Sequence, residues 1–142
     1  MKKNMAIAMF LAGLLVISFS ACKGGDGPTT PTLPNSFQII TIDNYGDNFG
    51  NAFYSVVISY ANNTDTDGTL TGTFYFGDGA SADINSIGGQ VLYAKTTKST
   101  EVGRFNHDYA SAGVYKVKAD FTANFKNESI SRTLEKEFTI TK

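Results

Sequence analysis

The stretch "VYKVKADFTANF", Val114 to Phe125, decides the fold class. Tyr115, Val117, Ala119, Phe121, Ala123 and Phe125 alternate with Lys116, Lys118, Asp120, Thr122 and Asn124. A period of two puts the first set on one face of a strand and the second on the other. A helix would need apolar residues at three-and-four spacing, and no segment of the domain keeps such a stripe. After the turn residues "KNES", the segment "ISRTLEKEFTIT" returns with Leu134, Phe138 and Ile140 on a common face. The two segments read as a terminal hairpin.

Working upstream, "FQIITI", "FYSVVISY", "TLTGTFYF" and "GGQVLYAKTT" are further strand candidates, each bounded by glycine, asparagine or aspartate clusters. About seven short strands in a stretch of roughly a hundred residues predict an all-β, antiparallel sandwich. Residues 36–142 are the length of one domain with one core.

The first residues, "MKKNMAIAMFLAGLLVISFSAC", place two lysines before an apolar run from Met5 to Phe19 and close on small residues. That is the pattern of an export signal, here residues 1–21. The run is shorter than the roughly 20 apolar residues a spanning helix needs. "FSAC" resembles the lipobox of bacterial lipoproteins, which implies cleavage before Cys22 and attachment of a diacylglycerol to its thiol. Cys22 is the sole cysteine, so it has no intramolecular disulfide partner. Acyl chains contribute about 0.8 kcal/mol per buried methylene, enough for several chains to hold a protein on a membrane that it does not span. Residues 22–35, with the Gly-, Pro- and Thr-rich "KGGDGPTTPTLPN" after the cysteine, read as a tether. The expected address is the cell envelope, with the outer membrane of a Gram-negative bacterium as the membrane. Cleavage removes Lys2 and Lys3 from 12 basic residues and none of the 13 acidic ones, leaving a net charge of −3. No basic patch is visible, and nucleic acid is not an expected partner.

Two strings, "DTDGTLTGTFYFGDG" and "FNHDYASAGVYKVKADF", closely resemble the polycystic-kidney-disease (PKD) domain family. The elements that match are Asp65, Asp67 and Gly68; Phe76, Gly77, Asp78 and Gly79; His107 and Tyr109; and Gly113, Tyr115 and Val117. Phe74 stands where that family usually has tryptophan, and Tyr75 where it usually has aspartate. The resemblance implies an immunoglobulin-like sandwich, a structural role for His107 near the "GDG" turn, and a place in extracellular interaction or polysaccharide-processing assemblies. The residues themselves account for the motif without chemistry. Glycines flanking Asp78 permit positive φ while its carboxylate takes nearby backbone N–H groups, and Phe74 and Phe76 share one parity and belong to the core.

"NTDTDG" matches the first half of a calcium loop, with Asn63, Asp65 and Asp67 alternating before Gly68. Its twelfth position, where a bidentate glutamate belongs, is Phe74. The turn reading is therefore preferred; no cofactor is expected, and a weak calcium site completed by Asp43 or Asp47 is the lesser alternative.

Catalysis has little support in the sequence. His107 is the only histidine, Asp108 beside it falls on the opposite strand face, and no serine lies in a GxSxG string. The aromatic residues Tyr45, Phe49 and Tyr54 lie in or beside the glycine-rich "NYGDNFGNAFY", and Tyr75 projects outward between Phe74 and Phe76. Such rings can stack on sugars or on a partner's side chains, and they can equally cover sheet edges. The expected function is a non-catalytic, lipid-anchored module binding a glycan or an envelope protein. The alternative is a structural spacer or accessory subunit with no ligand of its own. A binding module should gather Tyr45, Phe49, Phe53 or Tyr75 into one exposed patch.

Overall fold

A computed structural model describes residues 33–142 except Phe49 and Gly88, with the backbone alone for Asp47 and Asn48. The chain is an all-β sandwich of two antiparallel sheets. The strands are β1 (Ser36–Asn48), β2 (Asn51–Asn62), β3 (Gly68–Tyr75), β4 (Ser81–Asp83), β5 (Gln90–Leu92), β6 (Thr96–Asp108), β7 (Gly113–Asn124) and β8 (Ser129–Ile140). One sheet has the order β1-β2-β6; the other has β4-β3-β7-β8, with β5 also paired to β3. A 3-10 turn, Ile84–Ile87, lies between β4 and β5. Among the described residues no helix is long and apolar enough to cross a membrane.

Eight strands stand where about seven are expected, because the segment read as one strand, "GGQVLYAKTT", is broken between β5 and β6 and because the three-residue β4 follows the "GDG" turn. Tyr93, Ala94 and Lys95 turn the chain, Lys95 at φ 52°, so that β5 stays in one sheet while β6 begins in the other. β7 follows its alternation: Val117, Ala119, Phe121 and Ala123 are buried and their neighbours are not. β8 pairs with β7 in unbroken register from Gly113–Ile140 to Asn124–Ser129, which is the expected terminal hairpin.

The core is aromatic. Phe74 stacks on Phe105 with centroids 4.6 Å apart and planes 9° apart, and contacts Phe76 edge-on at 5.3 Å. Tyr54 lies 5.4 Å from Phe74 and 5.3 Å from Phe138. Burial of each ring contributes about 1.5–3 kcal/mol, and the offset and edge contacts add to that.

Two irregularities shape the three-stranded sheet. In β1 the register against β2 slips between Ile39 and Thr41, and Ile40, the residue at the slip, is exposed. In β6 it slips between Arg104 and Val102 against Ser55 and Val56, and the extra residue is Gly103 at φ 68°. That φ strains any L side chain, and a Cβ would also press on the Ile87 tip and the Phe105 ring, so the bulge favours glycine. The bulge also resets parity, allowing Val102 and Phe105 both to be buried although they are three residues apart.

Candidate functional site

The "FGDG" turn closes the β3–β4 hairpin through Phe76 N–H donating to Ala80 O at 3.0 Å. Gly77 and Gly79 have φ of 88° and 100°, and a Cβ on Gly77 would lie 2.7 Å from the Lys116 carbonyl oxygen. Asp78 does two jobs. Its Oδ1 accepts the Ala80 N–H at 3.0 Å, and its Oδ2 lies 2.6 Å from His107 Nε2. Burial, the largest single influence, pushes the Asp78 carboxyl up, but the bonds from His107 and Ala80 outweigh it and hold the group below its ordinary value. His107 stacks on Phe76 at 4.2 Å and meets Tyr109 edge-on. Tyr109 donates its hydroxyl to Phe76 O at 2.8 Å and shares a 2.9 Å hydrogen bond with the Tyr54 hydroxyl. His107 thus fastens β6 to the turn of the opposite sheet, and Asp108 next to it is exposed. Tyr115, further along the motif, packs on Tyr109 at 4.1 Å and donates to Ser111 O. Gly113 opens β7.

The aspartate-rich turn crosses from β2 to β3 and so joins the two sheets. Asp65 holds Lys126 at 2.9 Å, and that hydrogen bond keeps its carboxyl below the ordinary value. Asp67 accepts the Ala94 N–H at 2.8 Å. Asn63 donates its side-chain N–H to Pro34 O and its carbonyl takes Lys95. Each of the three is engaged as a turn and loop fastener. Asp43 sits opposite Ser55, far along β2 from this turn, and lies 3.6 Å from Lys136. At about 3.3 Å per residue that places it well over 20 Å from Asn63, too far to complete a shared ligand set. Among the described residues no group of three or more His, Cys, Asp or Glu could hold a metal. The organiser that sequence reading missed is Asn62: wholly buried, it donates to Thr66 O and Leu92 O and accepts from Thr64. The available signal is its parity, since Asn62 continues the Tyr54, Val56, Ile58, Tyr60 set of the strand.

The aromatic candidates separate. Tyr54 is not an exposed binding ring: it lies in the strand "FYSVVISY" as read, β2 reaches back to Asn51, and alternation sends Tyr54 into the core with Val56 and Ile58, 0% exposed. Phe49 lies outside the described residues. Tyr75 points outward as expected, 38% exposed with Lys118 Nζ 4.3 Å above its ring, but on the β3–β7–β8 sheet. Tyr45 and Phe53, 69% and 43% exposed, stand together on the β1–β2–β6 sheet. They line a cleft of about 440 Å³ with Glu101 and Arg104, Tyr54 contributing to its floor. Arg104 Nε is 3.6 Å from Glu101 Oε1. Glu101 and Arg104 carry no local sequence signal. Pairing across β2 delivers them, Glu101 opposite Val57 and Arg104 opposite Ser55.

The two outer faces differ in emphasis, although Tyr75 and Val114 are exposed on β3–β7–β8. On β3–β7–β8 the polar side chains satisfy one another: Thr122 with Ser131 at 2.8 Å, Thr133 with Asp120 at 3.0 Å, Asn124 with Thr71 at 3.1 Å. On β1–β2–β6, Ile40, Tyr45 and Phe53 are exposed, and the buried Ser55 hydroxyl has no hydrogen-bond partner. Comparison with protein-family models, with curated proteins and with solved structures gave no match to this chain.

Proposed function

We propose that this protein is a non-catalytic lipoprotein of the cell envelope, anchored through Cys22, whose single PKD-like domain binds a glycan or protein partner through the outer face of β1–β2–β6. The observation that carries the reading is the placing of Tyr45 and Phe53 over one cleft with Glu101 and Arg104. Exposed rings beside a charged pair are the composition of a recognition surface, and cavities of this size fall in the range of about 300–1,000 Å³ used by small ligands. The export signal and the "FSAC" string support the anchor, although both lie outside the described residues. The absence of catalysis is supported by what His107 does, since its ring is bonded to Asp78 and stacked on Phe76 as a fastener between sheets.

Two measurements test it. Labelled palmitate should be incorporated into the full chain and lost in Cys22→Ala; an unlabelled wild-type chain overturns the anchor. Detergent-solubilised protein should co-sediment with isolated cell envelopes stripped of their own copy, and Tyr45→Ala with Phe53→Ala should abolish this. Binding that ignores both substitutions favours a spacer or accessory subunit with no ligand on this face.

A further inference from the structure

We infer that the cleft over β2 takes a pyranose unit of a polysaccharide, stacked on Phe53 and Tyr45, with neighbouring hydroxyls on Glu101 and Arg104. This rests on the proposed reading of the β1–β2–β6 face as the binding face. Its position first limits the ligand. β2 is the middle strand and spends its backbone groups on β1 and β6, so an extended peptide cannot add to it as a strand. The cleft, at about 440 Å³, lies within the range of about 300–1,000 Å³ of pockets that hold small units.

Chemistry then narrows it. A wholly apolar ligand would leave the Glu101–Arg104 pair facing hydrocarbon, which is unfavourable for charged groups. An anion would meet the Glu101 carboxylate beside the guanidinium, and a cation would meet Arg104. A neutral polyol uses both, donating a hydroxyl to Glu101 Oε and accepting from the Arg104 fork, whose side chain is 86% exposed and bonded to nothing else among the described residues. The C–H face of a pyranose supplies the apolar surface that the rings of Tyr45 and Phe53 need, as sugar rings stack on aromatic ones. Ser55 adds a second pointer. Strand alternation sets it on this same face, opposite Asp43 and Arg104, wholly buried with its hydroxyl unpartnered. Buried hydroxyls nearly always have partners, and this unpartnered one lies on the same sheet face as the cleft.

The test is affinity electrophoresis of the detergent-solubilised full chain in gels cast with hydroxyethyl cellulose, xylan, pullulan, dextran or pectin. At least one neutral polysaccharide should retard the wild type. Phe53→Ala and Glu101→Gln should each weaken binding about tenfold or more, the equivalent of about 1.4 kcal/mol. Tyr75→Ala, on the opposite face, should leave it unchanged, and unaltered melting curves show that the variants are folded. Retardation by pectin alone overturns the neutral sugar in favour of an anion. No retardation by any of the five, with Phe53-dependent envelope binding intact, overturns the sugar and leaves the binding face standing. Retardation lost in Tyr75→Ala but kept in Phe53→Ala overturns both.

Discussion

Asp78 Oδ2 lies 2.6 Å from His107 Nε2, and this contact ties the β3–β4 turn of one sheet to β6 of the other. The Asp78 carboxyl is held below its ordinary value, so its contribution to stability is present above the unfolded pKa of about 3.9 and is lost as pH falls through the folded value. Asp78→Asn keeps an acceptor for the Ala80 N–H but loses the charge. It is expected to destabilise the domain by ~1–3 kcal/mol near pH 6. The gap between wild type and variant should narrow as pH drops from 4 towards 2. Urea unfolding at a series of pH values measures it, and a gap independent of pH in that window would show that the pair does no electrostatic work.

Tyr109 is pushed the other way. Burial, then the hydrogen bond with Tyr54, raise its phenol far above the ordinary tyrosine value. A raised pKa contributes stability in full below the unfolded value of about 10, and that stability falls as pH climbs above it. Ultraviolet titration should therefore find a tyrosine that ionises only with alkaline unfolding, and Tyr109→Phe should remove it. The variant also orphans the Phe76 carbonyl, at an expected loss of ~1–3 kcal/mol at pH 7.

Phe76→Ala should destabilise the domain by about 3–5 kcal/mol, because the ring is buried against Phe74, Tyr54 and His107 and its removal leaves a cavity. Chemical denaturation provides the measurement. A loss below about 1 kcal/mol would mean that the site collapses freely, contrary to its packing.

Calcium should leave the melting temperature unchanged. Asp65 is committed to Lys126 and Asp67 to the Ala94 N–H, so binding would have to break fasteners between loops. A true site at a hundredfold excess of metal would stabilise the fold by about 2.7 kcal/mol. Melting the full chain in detergent with chelator and then with millimolar calcium distinguishes the two, and a rise abolished by Asp65→Ala with Asp67→Ala would make the turn a metal site.

What was legible in the sequence followed local periodicity. Phe74, Phe76 and the β7 alternation are placed as read, because parity within one regular strand needs no knowledge of its neighbours. Tyr54 belongs to the strand "FYSVVISY" as read, but its neighbouring glycines and asparagines suggest an accessible strand end, whereas pairing of β1 with β2 carries the ladder on to Asn48 and Asn51 and buries the ring. β6 was largely invisible: "TKSTEVGRFNHD" has few apolar residues, and the Gly103 bulge breaks the phase between Val102 and Phe105. The cleft was legible only in part. Its rings could be suspected from exposure and neighbourhood, but Glu101 and Arg104 reach it through pairing with residues far away in the chain.

The order in which the chain visits the two sheets bears on how the protein acquires its structure. β1 and β2 lie in one sheet, β3, β4 and β5 in the other, β6 returns to the first, and β7 and β8 finish the second. Three hairpins, β1–β2, the short β3–β4 and β7–β8, can form from neighbouring segments. The ladders of β2 with β6 and β3 with β7 join distant stretches, such as Val57 with Glu101 and Phe74 with Ala119. Neither sheet can be finished before the other is well advanced, so loop-closure entropy is met before most of the core is gained. The domain should fold slowly for its size, in roughly the millisecond-to-second range of non-local β topologies. It should also lose both sheets together, in a single transition.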